Sequence, residues 1–194
     1  MDNHISFKAK FIKTSPVKKL SHGIYKKIDA SFVELNKNDL KPLYETTSEW
    51  NQLFSNAIYN NAQDKLKYCK TRFHLYALTT QKEGFETLQP KKVLGLVEYQ
   101  EGPRFDEINL LQINPKYKNN ERTTKDKLLG IFKKERNQYK NCGKSIIDSL
   151  KEMYKTKTIN VDSATSSTGF YEKNGFKSIY ENGAYYTWSN KKSR

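Results

Sequence analysis

The sequence predicts a mixed α/β (α+β) domain: a mostly antiparallel, twisted sheet of about six to seven strands flanked by helices, with an extra N-terminal strand and a basic insertion. Three observations point to it. Short segments of alternating apolar and polar residues come first and read as antiparallel strands. A strand–helix–strand run over 107–162 then calls for a parallel pair in the same sheet. Near the end, Asn182-Gly183 between two aromatic-containing segments is a two-residue hairpin signal.

Ile5, Phe7, Ala9 and Phe11 alternate over 4–14, a strand period that Pro16 is expected to end. Residues 24–35 form a second strand with Ile28, Ala30 and Phe32 on one face. Asn38 or Asp39 can cap a helix, Pro42 suits its first turn, and Leu40, Leu43 and Tyr44 give it an apolar stripe. Trp50, Leu53, Phe54, Ala57 and Ile58 recur at helical spacing, so a second helix runs to about Gln63. Strands follow over 71–80, 93–99 and 107–114, separated by the Gly84 to Pro90 loop and the Gly102-Pro103 turn and closed by Pro115. Tyr139 to Tyr154 is expected to be a helix burying Ile146, Ile147 and Leu150. A short strand covers 158–162, and a short helix covers 165–174, ending at Asn174-Gly175. Phe176–Tyr180 and Ala184–Trp188 make the last strand pair.

The chain has 194 residues and a formal net charge of +14, which fits one domain over 1–194. Thirteen Tyr and ten Phe supply large burial units and argue against disorder. The longest apolar runs are too short to span a bilayer. Cys69 and Cys142 make no disulfide framework, so a cytoplasmic, reducing setting is expected. The charge is localised: +6 in an N-terminal extension over 1–27, +6 over 116–140 and +3 over 187–194, leaving a nearly neutral body. A basic insertion thus occupies 116–137 and a basic tail 190–194. Leu128, Leu129, Ile131 and Phe132 lie within the insertion. It reads either as an amphipathic helix or ordered loop packed on the domain, or as a basic arm facing phosphates or RNA.

Two constellations carry chemistry. Leu111-Gln112-Ile113-Asn114-Pro115 is a strand end. After the insertion, Gln138, Tyr139, Lys140, Asn141, Cys142, Gly143, Lys144 and Ser145 lead into a helix. Free N–H groups at a helix N-terminus bind phosphate oxygens, and Gly143 admits close backbone approach. The lysines on either side of Cys142 are expected to lower its thiol pKa. The second constellation, Phe170 to Phe176, is a helix end followed by a strand. No His/Cys/Asp cluster has metal-ligand spacing, so no metal is expected.

FYEKNGFK over 170–177 resembles the closing motif of the GNAT superfamily of acetyl-CoA-dependent N-acetyltransferases. QYKNCGKS over 138–145 resembles that superfamily's pyrophosphate loop, with Gln138 and Gly143 in place and Asn141 where a Gly usually stands. LLQINP over 110–115 resembles the preceding strand, separated from the loop by about 20 extra residues. The resemblance covers 28–189. It implies acetyl-CoA as co-substrate, with Leu111, Gln112 and Ile113 pairing with the pantetheine arm where two parallel strands splay. It implies that amides from Gln138 to Ser145 hold the pyrophosphate, and that Tyr171 acts as general acid toward the leaving thiolate.

The resemblance also carries a Glu six residues before Ile113, which is Glu107, as the group accepting a proton from the amine; Glu98 and His74 are alternatives. Where many members have an Asn, this chain has Ala164, with Asp162, Ser163 or Ser166 as substitutes. The implied activity is acetyl transfer to a primary amine: a small molecule, a peptide or protein amine, or an aminoacyl-tRNA. No membrane partner is expected, and a homodimer would fit. The rival expectation is a non-catalytic, basic nucleic-acid-binding module on a degenerate acyltransferase scaffold.

Overall fold

A computed structural model describes residues 9–68, 72–117, 138–180 and 183–190. The first residues of the expected 4–14 strand, Cys69, most of the 116–137 insertion, Asn182 and the 191–194 tail lie outside the described residues.

In chain order the elements are β1 (Lys10–Ser21), β2 (Ile24–Leu35), α1 (Leu40–Trp50), α2 (Leu53–Tyr68), β3 (Phe73–Thr79), β4 (Val93–Gln100) and β5 (Asp106–Ile113). Then come β6 (Tyr139–Lys140), α3 (Cys142–Met153), β7 (Thr158–Asp162), α4 (Thr168–Lys173), β8 (Lys177–Ser178) and β9 (Tyr185–Ser189). The described strands form one sheet in the order β6-β1-β2-β3-β4-β5-β7-β9-β8. Only β5 and β7 pair in parallel; every other neighbouring pair is antiparallel. The predicted class is correct, but the described residues form nine strands where six to seven and an extra N-terminal strand are expected.

The differences have physical reasons. Residues 10–21 are not an appendage, because β1 pairs with β2 along its whole length. Pro16 does not end this strand. Its carbonyl accepts from Ser145 Oγ on the side away from β2, so its ring nitrogen, on that same side, interrupts no ladder. Buried Ser15 and Ser149 share a hydrogen bond of 2.6 Å, tying β1 to α3. Tyr139 and Lys140, expected to open a helix, instead pair with Lys19 and Lys18 as β6. α3 starts only at Cys142, because Asn141 is left-handed at φ 66. α2 extends past Gln63 to Tyr68.

Strand alternation divides the core between the two faces of the sheet. On one face Phe32, Tyr76, Leu78, Val97, Tyr99 and Ile108 pack against Ile146, Ile147 and Leu150 of α3 and Tyr171 of α4. On the other, Val33, Leu35, Leu75, Ala77 and Leu96 pack against Leu43, Trp50, Ile58 and Ala62 of α1 and α2. Gly95 lies directly beneath Ile146 of α3. A Cβ there would lie 2.8 Å from the Cδ1 atoms of Ile113 and Ile146 and 3.3 Å from the Gln112 carbonyl oxygen. Gly95→Ala is therefore expected to lower unfolding free energy by about 1–3 kcal/mol through overpacking, read from a urea melt; an unchanged midpoint would contradict this packing.

Candidate active site

The site is built on strand β5. It pairs with β7 through only three rungs, Asp106↔Ile159, Glu107↔Asn160 and Ile108↔Val161. β5 then continues to Ile113 along β4, while the chain after β7 turns away into residues 165–173. At the same level the β4–β5 register slips. Glu98 faces Leu110 but Tyr99 faces Ile108, so Asn109 is an extra residue on β5. Such a bulge bends and twists its strand. Beyond Ile108 the edge of β5 that faced β7 therefore has no strand beside it.

A cavity of about 600 Å³ fills that opening. Leu111, Gln112 and Ile113 form one wall, and Ala164, Ser166 and Ser167 face them. Lys140, Asn141, Cys142, Gly143 and Lys144 bring the N-terminus of α3 to one end. Ser145 N makes the first intrahelical bond, to the Asn141 carbonyl, so the N–H groups of Cys142, Gly143 and Lys144 have no partner one turn back. The Asn141 side chain does not cap the helix. Asn141 takes a left-handed backbone, φ 66 and ψ 14, that Asn tolerates best after Gly. The departure from glycine at this position thus preserves the turn. Gly143 is needed for a different reason: a Cβ would meet the Phe170 ring at 3.0 Å.

Not every expected coenzyme residue reaches this wall. Gln138 is exposed and its carbonyl accepts from Leu20 N. Tyr139 is buried in the core, edge-on to Tyr117. Ser145 faces β1. The two lysines have other engagements: Lys140 Nζ lies 4.1 Å over the Tyr25 ring, and Lys144 Nζ pairs with Asp148 at 2.7 Å. Ala164 and Ser166 do line the cavity, whereas Ser163 is buried and donates to the Ala164 carbonyl. Phe54, Tyr117, Ser167, Phe170, Lys173 and Asn174 also line it, and sequence reasoning did not place them there. No local pattern in the sequence marks them as cavity residues.

Tyr171 follows cavity-lining Phe170 but turns its ring inward, packed between Phe170, Phe176 and Tyr186. Burial pushes its hydroxyl up to about 12, so it stays protonated. Glu107 sits at the foot of β5, where its Oε1 accepts from Tyr185 Oη at 3.2 Å. Glu98 is fully buried beneath α2 beside Leu110. Its Oε2 accepts from Asn61 Nδ2 at 3.1 Å, while its Oε1 has no partner. Burial pushes this carboxyl up to about 7.

His74 is held between Glu34 (2.6 Å) and Glu101 (3.1 Å). Its hydrogen bond to Glu34 raises its pKa, making it an ion-pair partner rather than a free base. Cys142 reverses its expectation. Its thiol is buried, and desolvation pushes it up to about 12 despite the neighbouring lysines. Among the described residues no His, Cys, Asp and Glu group is placed to hold a metal ion, and no helix is long and apolar enough to cross a membrane.

No family model matches the sequence, and no curated protein matches it. Solved structures do resemble the chain. One is PaiA N-acetyltransferase from Thermoplasma acidophilum in complex with coenzyme A: 15% identity, TM-score 0.48, covering 82% of this chain and 97% of that one. A second, from Desulfovibrio desulfuricans, is assigned as an acetyltransferase of the GNAT family: 9% identity, TM-score 0.46, covering 84% and 99%. A third is NAA60 from Arabidopsis thaliana in complex with a bisubstrate analogue: 11% identity, TM-score 0.42, covering 81% and 94%. These are structural likenesses to GNAT acetyltransferases at low identity, and the geometry above stands without them.

Because the Cys142 thiol is buried and protonated, iodoacetamide at neutral pH should leave it unmodified in the native protein and alkylate it only after denaturation. Peptide mapping reads this. Rapid native labelling at Cys142 would show that its thiol is not desolvated but exposed.

Proposed function

We propose that the protein is an N-acetyltransferase that moves the acetyl group of acetyl-CoA to a primary amine by direct attack. One observation carries the reading: the cavity where β5 parts from β7, with the bare N-terminus of α3 at one end. That opening offers the backbone of Leu111 to Ile113 to an amide-bearing arm, and the N–H groups of Cys142, Gly143 and Lys144, which have no helical partner, to a pyrophosphate. Bound there, acetyl-CoA would supply an activated thioester with a good thiol leaving group.

The chain's own groups then have definite tasks. The amine must lose a proton before or during attack, because a primary ammonium has no lone pair. Glu98, with a pKa near 7 and a carboxylate oxygen without a partner, is matched to accept that proton near neutral pH. It faces Leu110 of β5, the residue before the Leu111 to Ile113 wall, and lies behind that wall without lining the cavity itself. This moves the base role from Glu107 to Glu98 and leaves Glu107 to hold the acceptor. As the new C–N bond forms and the C–S bond breaks, the sulfur takes up a proton, which Tyr171, its ring packed in the core behind Phe170, donates only on turning toward the cavity.

A second reading, a non-catalytic nucleic-acid-binding module, draws on one feature. Lys140, Lys18 and Lys27 face one another across β6, β1 and β2, and like charges so placed repel unless an anion sits on them.

Acetyl-CoA at a hundredfold excess over its Kd should stabilise the fold by about 2.7 kcal/mol and raise Tm by several degrees; no shift at millimolar acetyl-CoA, with steeply salt-dependent RNA binding, would favour the second reading. Glu98→Gln should separate stability from function. A carboxyl raised from 4.5 to about 7 costs the folded state nothing below pH 4.5 and its full penalty above pH 7. At pH 8 the Gln variant should therefore be more stable, on the order of 2–3 kcal/mol, yet lose roughly 100-fold or more in kcat. Wild-type kcat in that variant would remove Glu98 from the mechanism. Tyr171→Phe should lower kcat while keeping coenzyme affinity.

A further inference from the structure

We propose that the hairpin of β1 and β2 is a docking arm for double-stranded DNA, its lysines set against the phosphates on the two walls of the major groove. The inference goes beyond acetyl transfer and does not depend on it. Lys18, Lys19, Lys26 and Lys27, which carry it, are not among the residues that line the coenzyme cavity.

β1 and β2 pair from Lys10↔Glu34 to Ser21↔Ile24, but β3 joins β2 only from Ser31 to Leu35. Among the described residues β2 therefore has no strand on its outer side from Ile24 to Ala30. β6 covers the edge of β1 only at Lys18 and Lys19. The two strands run on past the sheet as a ribbon, roughly 20 Å long at about 3.3 Å per residue. His22 and Gly23, both left-handed at φ 48 and 78, close it with a tight two-residue turn that keeps the tip narrow.

Six lysines and a single acid, Asp29, lie from Lys10 to Val33, so the ribbon is basic along its length. The two lysines at its root are compensated, Lys10 by Glu34 at 3.9 Å and Lys13 by Glu152. The four toward the tip are not. Among the described residues Lys18, Lys19, Lys26 and Lys27 have no ion-pair partner. They are nevertheless set directly opposite one another, Lys18↔Lys27 and Lys19↔Lys26, with Lys140 opposite Lys18 on its other side. Like charges so paired oppose folding, and anions seated on them remove the repulsion.

The shape of the ribbon decides which anion. Adjacent rungs point to opposite faces. Lys18 and Lys27 thus charge one face, and Lys19 and Lys26 the other. A membrane or an acidic protein surface meets one face and leaves the second pair uncompensated. A groove with a row of phosphates on each wall meets both. The B-form major groove, about 12 Å wide, admits a two-stranded ribbon, whereas that of duplex RNA is too narrow for side chains to read. At the tip Ile24 is 66% exposed, an apolar side chain suited to the thymine methyl groups on the groove floor.

Fluorescence anisotropy of a short labelled DNA duplex, taken on the full chain from about 50 to about 200 mM salt, tests this. The duplex should bind with an affinity that falls steeply as salt rises. Changing Lys18, Lys19, Lys26 and Lys27 together to Gln should weaken binding tenfold or more and flatten the slope of log K against log salt by about 3. The same variant should keep the wild-type response to acetyl-CoA and melt no lower than wild type, because the opposed charges are gone. Lys26→Glu alone should weaken binding threefold or more, and decides the matter if the quadruple variant folds poorly. No binding of duplex DNA at low salt, an unchanged affinity and slope in the variants, or tighter binding of duplex RNA, polyglutamate or anionic phospholipid vesicles would overturn the proposal. A missing acetyl-CoA thermal shift in the wild type would sink the transfer reading and leave the DNA result standing.

Discussion

A pair of parallel strands that separates after three rungs places a demand on everything near it. Main-chain N–H and C=O groups are expensive to leave without partners, yet the edge of β5 beyond Ile108 has lost its neighbour. The structure surrounds that edge with a cavity instead of a strand. The bulge at Asn109 starts the bend, Gly95 lets α3 close on the sheet from one side, and Gly143 lets the Phe170 ring lie against the helix start. The β1–α3 seam of Ser15, Pro16, Ser145 and Ser149 fixes where α3 begins. Glu98 on β4 and Glu107 on β5 then lie on adjacent strands, with the start of α3 at the far end of β5.

Much of this was legible in the sequence, for identifiable reasons. Alternation in 24–35 and the short strand at 158–162 gave boundaries that the structure reproduces, because each strand buries a whole apolar face. Gly175 adopts φ 76 as the helix stop that Asn174-Gly175 announces. The helix spacing of Ile146, Ile147 and Leu150 placed α3 correctly in its interior but not at its start. Tyr139 and Lys140 carry no local mark of being strand, since their pairing with Lys19 and Lys18 is made by residues more than a hundred positions away. The same long-range pairing keeps β1 running through a proline.

The site was legible in its wall and less so in its chemistry. Leu111 to Ile113 and Lys140 to Lys144 lie together as the motifs implied. Side-chain environment is a different matter, because it depends on burial that no local pattern reports. Cys142 looks activated beside two lysines and is instead desolvated. Glu98 looks like any strand acid. Only the layer of α2 above it, with Asn61 satisfying one oxygen and nothing the other, makes it titrate near neutrality. The charge of +14 likewise changes meaning once placed. Part of the N-terminal excess lies on strands that belong to the sheet, where Lys18 and Lys27 face each other across β1 and β2.

The central claim is that the opening between β5 and β7 receives the coenzyme, its phosphates on the N-terminus of α3 and its arm along β5. Amide NMR of the labelled protein titrated with coenzyme A tests this residue by residue. The account predicts saturable shifts concentrated at the amides of Asn141, Cys142, Gly143 and Lys144 and of Leu111 to Ile113, with β2 and β3 unmoved. Shifts confined to the lysines of β1 and β2, or none at millimolar coenzyme A, would contradict it.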